Sequence, residues 1–202
     1  MNRINKKFSQ IFGGHWIKVK FYSRKPNIRD GEKLEGVRFC DATKKAIMRP
    51  IILDNESISC NGARYAFGWS SDYKDLLSQD CLDKNQVQSE VLESMLSKIH
   101  RFKKPFQYIG LNTEGAPDLI MSYMQPEGIM KIIKIYNYYS GENLDMSLCS
   151  MMSICSGIAV KTYLEDKISL SFGCDDSRKF ADIGRNNLAV GVPNILLKQL
   201  IR

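Results

Sequence analysis

The chain has 202 residues, of which 44% are hydrophobic and 25% charged, as in a single globular domain with a substantial core. No apolar run approaches the roughly 20 residues that span a membrane, and the first residues lack the apolar core of a secretory signal. These features predict a cytoplasmic protein that does not cross a membrane. The net charge of +7 lies in residues 1–30, which hold eight basic residues and one acidic residue, whereas residues 31–202 hold 21 of each.

The basic segment 1–30 has two interpretations. It could attract a small anionic ligand or an acidic partner, or it could form the solvated face of a helix and a strand that pack on the domain. The sequence has no zinc-finger or RNA-recognition signature and no basic–aromatic stripe, so we expect no nucleic-acid partner. A homo-oligomer is compatible with the sequence.

The first half of the chain alternates short helices and strands. In the first predicted strand, Ile17, Val19 and Phe21 alternate with Lys18 and Lys20, which predicts that only one face of this strand is buried. The predicted elements are helices over residues 4–12, 37–47, 61–67 and 85–99, and strands over residues 15–22, 50–53 and 57–60.

The second half continues the alternation. Pro126 opens a helix at the position that proline prefers. The other predicted elements are strands over residues 106–109, 119–121, 168–172 and 188–190, and helices beginning at Cys155, over 178–183 and over 195–201. The pattern predicts one domain over residues 1–202, of the α/β or α+β class, with a mixed sheet flanked by helices.

Six cysteines in a chain without a secretion signal argue against disulfides, because the cytosol keeps thiols reduced. Four of them form two similar segments, Cys40 to Cys60 and Cys155 to Cys174, with spacings of 20 and 19 residues. Both segments follow the order Cys, helix, strand, Cys, turn and Arg. This order suggests two related halves that bring four thiols near one axis.

Four thiolates suit an iron–sulfur cluster or zinc, because both prefer soft sulfur ligands. Arg64 and Arg178 each follow a second cysteine by four residues and could donate hydrogen bonds to an anionic cluster or substrate. The simpler alternative is that dispersed cysteines are small, inert core residues. Cys81 and Cys149 have no counterpart in the two segments.

Short motifs along most of the chain resemble one family. They are Arg38-Phe39-Cys40, Ser59-Cys60, Pro117-Asp118, Pro126, Cys155, Gly173-Cys174, Ser177-Arg178 and Val190-Gly191-Val192-Pro193. From about residue 8 to 201 the chain resembles the bacterial and archaeal family catalogued as domain of unknown function 169. The resemblance implies a shared metal or cluster site, because Cys40, Cys60, Cys155 and Cys174 fall on the family's recurring cysteine positions. Members often carry an acidic run where this chain has Arg185-Asn186-Asn187.

The leading prediction is a protein that binds an iron–sulfur cluster, of the 4Fe–4S type, in electron transfer or small-molecule redox chemistry. Cys40, Cys60, Cys155 and Cys174 would be the metal ligands, and a redox protein would be the partner. One alternative is a metal-free module that binds a small anionic ligand at the turns after Cys60 and Cys174. The other is a thiol enzyme in which Cys174, placed where a strand gives way to a helix, is the nucleophile.

Overall fold

A seven-stranded mixed sheet forms the centre of the computed structural model, which describes residues 3–27, 31–71, 73, 76, 82–83, 86–144, 146 and 148–201. The strands are β1 Ile17–Tyr22, β2 Glu32–Lys33, β3 Ile51–Leu53, β4 Tyr108–Leu111, β5 Leu119–Met124, β6 Ser169–Ser171 and β7 Leu188–Pro193. Their order in the sheet is β2-β3-β4-β1-β5-β7-β6. Strands β2 and β3 are parallel and all other neighbours are antiparallel, which confirms the predicted mixed sheet.

Helices cover both faces of this sheet. They are α1 Arg3–Phe12, α2 Phe39–Lys45, α3 Asn61–Ala66, α4 Ser89–Ser97, α5 Pro126–Ser140, a π-helix Cys155–Val160, α6 Lys161–Glu165, α7 Asp175–Phe180 and α8 Asn194–Leu200. On one face, α1, α5 and α8 bury a core that includes Phe8, Ile132 and Leu197. On the other face, α2, α3, α4 and the π-helix bury a second core, which includes Cys40 and Cys155. The candidate site lies on this second face.

The central strand β1 corrects one prediction. Lys18 is only 4% exposed, and its ammonium donates hydrogen bonds to the carbonyls of Thr113 and Gly115. Burial lowers the pKa of Lys18, and the positive charge of Lys20 lowers it further. The prediction of a half-exposed strand was wrong at Lys18 because the segment 113–115 covers this end of β1, whereas Lys20 and Tyr22 are half-buried.

A second prediction also differs from the structure. Residues 57–60 form no strand, since Ile58 makes only an isolated bridge to Val37. The missing strand also removes one feature that the two cysteine segments were predicted to share, so the duplication is not confirmed.

Asn112 joins three parts of the fold. Its Oδ1 accepts hydrogen bonds from the Lys18 N–H at 2.8 Å and from Nδ2 of the buried Asn5 at 3.0 Å. Its Nδ2 donates to the carbonyl of Ala46 at 2.7 Å, and its φ of 54° lies in the left-handed region. Asn112 therefore connects α1, β1 and the end of α2.

We expect Asn112→Ala to lower the free energy of unfolding by about 2–4 kcal/mol. Three hydrogen bonds of about 1 kcal/mol each are lost, and alanine is strained at positive φ by about 1 kcal/mol. Urea denaturation measures the effect. Asn112→Gly is the control, because it loses the same hydrogen bonds without the backbone strain and should be the more stable variant of the two. Wild-type stability in Asn112→Ala would contradict this account of Asn112.

Candidate thiol site

Four helices begin at the candidate site, and each has a cysteine within one residue of its first residue. Cys40 is the second residue of α2 and Cys155 is the first residue of the π-helix. Cys60 and Cys174 are the N-cap residues of α3 and α7. The first turn of an α-helix has N–H groups without an acceptor in the helix and carries partial positive charge, so the starts of α2, α3 and α7 favour negative charge beside the cavity. The Ser156 and Gly157 N–H groups of the π-helix already donate to the Met152 carbonyl.

The structure brings these four cysteines together around one cavity of about 140 Å³. The rest of its wall is mainly apolar, with Phe39 and Met152 among the contributing residues, and Arg38, Asp175 and Asp176 add charge. Cys149 lines a different cavity. Cys81 lies outside the described residues. The cysteines that the sequence singled out therefore share one site.

Thiol ionisation in this cavity is suppressed. Burial, together with the smaller effects of negative charge on Cys174 and Cys60, raises the pKa of Cys40 to about 12. Burial also raises the pKa of Cys155 well above the ordinary value, with Cys60, Cys174 and Cys40 adding to the effect. The thiols are close enough to interact electrostatically, and in the metal-free chain Cys40 and Cys155 are neutral near pH 7.

Arg38 fixes α2 against α7. Its Nη1 lies 3.0 Å from Oδ2 of Asp176, and its guanidinium stacks on the ring of Phe180 at 4.4 Å. The Cys40 thiol lies 3.9 Å from the carbonyl oxygen of Asp176. Arg38 thus sets the position of Cys40 relative to the first turn of α7. No role was predicted for Arg38, although it immediately precedes Phe39-Cys40 in the family motif.

A second contact holds α2 on the sheet. The Thr43 hydroxyl donates to the carbonyl of Cys40 at 2.7 Å and lies 2.8 Å from the hydroxyl of Tyr123 on β5. Burial raises the pKa of Tyr123, so its hydroxyl stays protonated. The turn of helix that carries Cys40 is therefore anchored to a central strand.

The π-helix sets the position of Cys155. Its wider turn shows in the hydrogen bond from the Ala159 N–H to the carbonyl of Ile154, five residues earlier, at 2.9 Å. The carbonyl of Met152 accepts from Ser156 and Gly157, and Met152 itself has a φ of 49°. Such helices are often found at functional sites. The sequence predicted a helix at this position and did not show that it is a π-helix.

The two predicted supporting arginines make other contacts. Nε of Arg64 donates to Oδ1 of Asn55 at 2.9 Å. The guanidinium of Arg178 donates to the carbonyls of Gly184 at 3.4 Å and Asn187 at 3.3 Å. Neither arginine is among the residues that line the thiol cavity in the described chain. Arg178 thus holds the turn that contains Arg185-Asn186-Asn187, and a role for either arginine toward a cofactor stays a prediction.

The raised thiol pKa values predict that the metal-free chain loses stability in alkali. Folded Cys40 and Cys155 keep their protons above pH 9.0, where unfolded thiols lose theirs. The unfolded state then binds fewer protons, so the free energy of unfolding falls as pH rises, by up to about 1.4 kcal/mol per pH unit per thiol. For Cys40 this loss of stability stops near its folded-state pKa of about 12. Urea denaturation between about pH 7 and about pH 10 measures the slope. In Cys40→Ser the free energy of unfolding should fall less steeply with pH than in the wild-type chain. Equal slopes in the two chains would contradict the raised pKa of Cys40.

Comparison with known proteins agrees with the motif resemblance. The profile of the DUF169 family, described as "Uncharacterised ArCR", matches residues 15–202. This chain belongs to the DUF169 family. The "Uncharacterized protein MJ0308" of Methanocaldococcus jannaschii is 21% identical to it over 197 residues, which cover 92% of this chain and 84% of the relative. No solved structure matches the DUF169 chain.

Among the described residues, no helix is long and apolar enough to cross a membrane. Within the same part of the chain, no group of three or more His, Cys, Asp or Glu side chains has an arrangement that could hold a metal ion.

Proposed function

We propose that this DUF169 protein binds an iron–sulfur cluster, of the 4Fe–4S type, through Cys40, Cys60, Cys155 and Cys174. Such a cluster supplies one-electron chemistry, which would serve electron transfer or the reduction of a small molecule. The observation that supports the proposal is that four cysteines, distant in sequence and each at a helix start, line one small cavity.

Ordinary packing gives no reason for this arrangement. A buried cysteine behaves as a small apolar side chain, which gains nothing from facing other cysteines. Neighbouring thiols in addition invite oxidation to a disulfide. A bound cofactor uses both the sulfur atoms and the positive potential at the starts of α2, α3 and α7, since a thiolate-ligated cluster carries negative charge.

The other residues around the cavity would protect and position the cluster. Phe39, Met152 and Ile154 exclude water, which slows oxidative loss of a cluster. Arg38, paired with Asp176, fixes the position of Cys40 relative to Cys174. Because the Cys40 and Cys155 thiols are neutral when metal-free, cluster binding releases protons and is favoured by rising pH.

Anaerobic purification tests the proposal. We expect a brown protein with an absorption band near about 400 nm that bleaches in air. A colourless, iron-free protein after anaerobic reconstitution with iron and sulfide would contradict it. If that protein instead reacted with iodoacetamide fastest at Cys174, whose sulfur accepts the Ser177 N–H, the thiol-enzyme alternative would be supported.

A further inference from the structure

A cavity of about 560 Å³ lies away from the thiol site, at the end of the sheet where β2, β3 and β4 pair. Among the described residues, it has no lining residue in common with the thiol cavity. Its volume falls within the range of about 300–1,000 Å³ that is typical of small-molecule sites. The cavity therefore has room for a ligand whose binding does not involve the four cysteines.

Half-buried aromatic side chains form one side of this cavity, which we call the aromatic wall. They are Trp69, Phe106 and Tyr108. Nε1 of Trp69 donates to the carbonyl of Phe106 at 2.6 Å, and the Phe106 ring stacks on Phe21 at 5.4 Å, so two of the three rings are fixed in orientation. The Tyr108 hydroxyl has no hydrogen-bond partner among the described residues. Fixed, partly exposed rings present a surface on which a planar ligand can stack.

Two pairs of basic residues flank the aromatic wall, and each pair precedes a proline that lines the cavity. These basic pairs are Arg24-Lys25 before Pro26 and Lys103-Lys104 before Pro105. Lys25 lines the cavity as well. All four basic side chains are exposed, and none makes an ion pair or a hydrogen bond with the described residues. Their charged groups are therefore available to an anionic ligand.

Strand pairing brings the two basic pairs to the same edge of the cavity. Tyr22 at the end of β1 lies opposite Tyr108 at the start of β4, and the Gln107 N–H donates to the Tyr22 carbonyl at 2.9 Å. Because these strands are antiparallel, the segment that follows β1 runs beside the segment that precedes β4. The basic pairs and the aromatic wall come from separate stretches of the chain, so no contiguous basic–aromatic stripe marks them in the sequence.

The acidic residues of this cavity are already paired. Nζ of Lys33 lies 3.0 Å from Oδ2 of Asp54 and 3.5 Å from Oε2 of Glu56. Lys33 and Lys25 together balance these two carboxylates, and the other three members of the basic pairs leave an excess of three positive charges near the cavity. An anion that enters the cavity therefore meets net positive charge.

We infer that this cavity binds a nucleotide, whose base stacks on the aromatic wall and whose phosphate binds the basic pairs. Stacking on aromatic side chains accepts any planar base, and Lys and Arg are the usual partners of phosphate. A stacking surface beside unpaired cations fits a planar ring that carries a negative group. The inference requires none of the cysteines, so its success or failure is separate from that of the cluster proposal.

AMP and adenosine test the inference, because they share the base and differ in the phosphate. Calorimetry on the full, reduced, metal-free chain at low salt should show that AMP binds about fivefold to thirtyfold more tightly than adenosine. Added salt should reduce that ratio, because charges on exposed side chains are screened. Equal affinity for the two probes, or no binding of AMP, would overturn the inference.

A short single strand of deoxyadenosine nucleotides distinguishes the two sources of such a ligand. Binding that is tighter than that of AMP identifies a nucleotide within a strand, because a strand adds further phosphates and bases. Binding that is no tighter than that of AMP identifies a free nucleotide. Either result supports the nucleotide site.

Two double variants test the phosphate contact. Arg24→Gln with Lys25→Gln should lose most of the preference for AMP over adenosine. Lys6→Gln with Lys7→Gln is the matched control, since it removes the same charge from an exposed basic pair on α1 that does not line the cavity. The control should retain the preference. Equal losses in the two double variants would mean that overall charge explains AMP binding, and would overturn the inference.

Tyr108→Ser tests the base contact. The Tyr108 side chain is half-buried and its hydroxyl bonds to none of the described residues, so the variant should fold with a native circular dichroism spectrum. It should bind both AMP and adenosine about tenfold more weakly, because stacking of a base on an aromatic ring is lost. Wild-type affinity for adenosine in the folded variant would overturn the inference.

Discussion

Cys155→Ser is expected to lose the proposed iron–sulfur cluster almost completely. The serine oxygen is a poor ligand for iron that prefers soft sulfur, and the Cys155 side chain is buried where no other ligand can replace it. Iron content and absorbance near about 400 nm, measured after identical anaerobic reconstitution, should fall by about tenfold or more. The same result is expected for Cys40→Ser, Cys60→Ser and Cys174→Ser.

Cys149→Ser is the matched control for these four variants. Cys149 is a free cysteine six residues before Cys155, and it lines the neighbouring cavity. It should bind iron as the wild-type chain does. Wild-type iron content in one of the four ligand variants would mean ligation by three cysteines, and wild-type content in all four would refute the assignment of the site.

Gly191→Ala is expected to lower both stability and cluster binding. Gly191 lies on β7, and a Cβ there would come within 2.4 Å of Oγ1 of Thr162 and 2.9 Å of Cγ2 of Ile158. Both of those side chains are fully buried, so the π-helix and α6 must shift away from the sheet. Overpacking of this kind costs about 1–3 kcal/mol, which lowers Tm by several degrees. Because the π-helix carries Cys155, the shift also moves a ligand.

Gly157→Ala is the control for Gly191→Ala. It adds the same methyl group within the π-helix, where nothing lies within 4 Å of the new atom. Alanine also favours helices over glycine, so this variant should be as stable as the wild-type chain or more stable by up to about 1 kcal/mol. Thermal unfolding and iron content of the two variants should therefore differ, and equal losses in both would contradict the packing argument.

Local sequence signals predicted most of the elements. Pro126 marked the first residue of α5, and Gly141, with a φ of 70°, ends that helix. The burial of Lys18 could not be predicted from its own strand. The alternation of Lys18 with Ile17 and Val19 is typical of a half-exposed strand, and burial depends on the later segment 113–115 that supplies the carbonyls.

The sequence predicted which cysteines form the candidate site, but it did not predict the residues and cavities around them. The common order of the two cysteine segments was enough to group Cys40, Cys60, Cys155 and Cys174, although the strand at residues 57–60 does not form. Arg38 was missed because its partner Asp176 lies 138 residues away. The cavity that Cys149 lines was missed because its walls come from three separate stretches of the chain, 95–100, 148–161 and 170–171, that only the fold brings together.

Quantification of iron and acid-labile sulfide in the anaerobically reconstituted chain tests the central claim most directly. The four-cysteine site predicts equal amounts of both, at about four of each per chain for a 4Fe–4S cluster. Cys149→Ser should give the same ratio. Zinc or iron bound without sulfide, or neither metal bound, would contradict the cluster assignment.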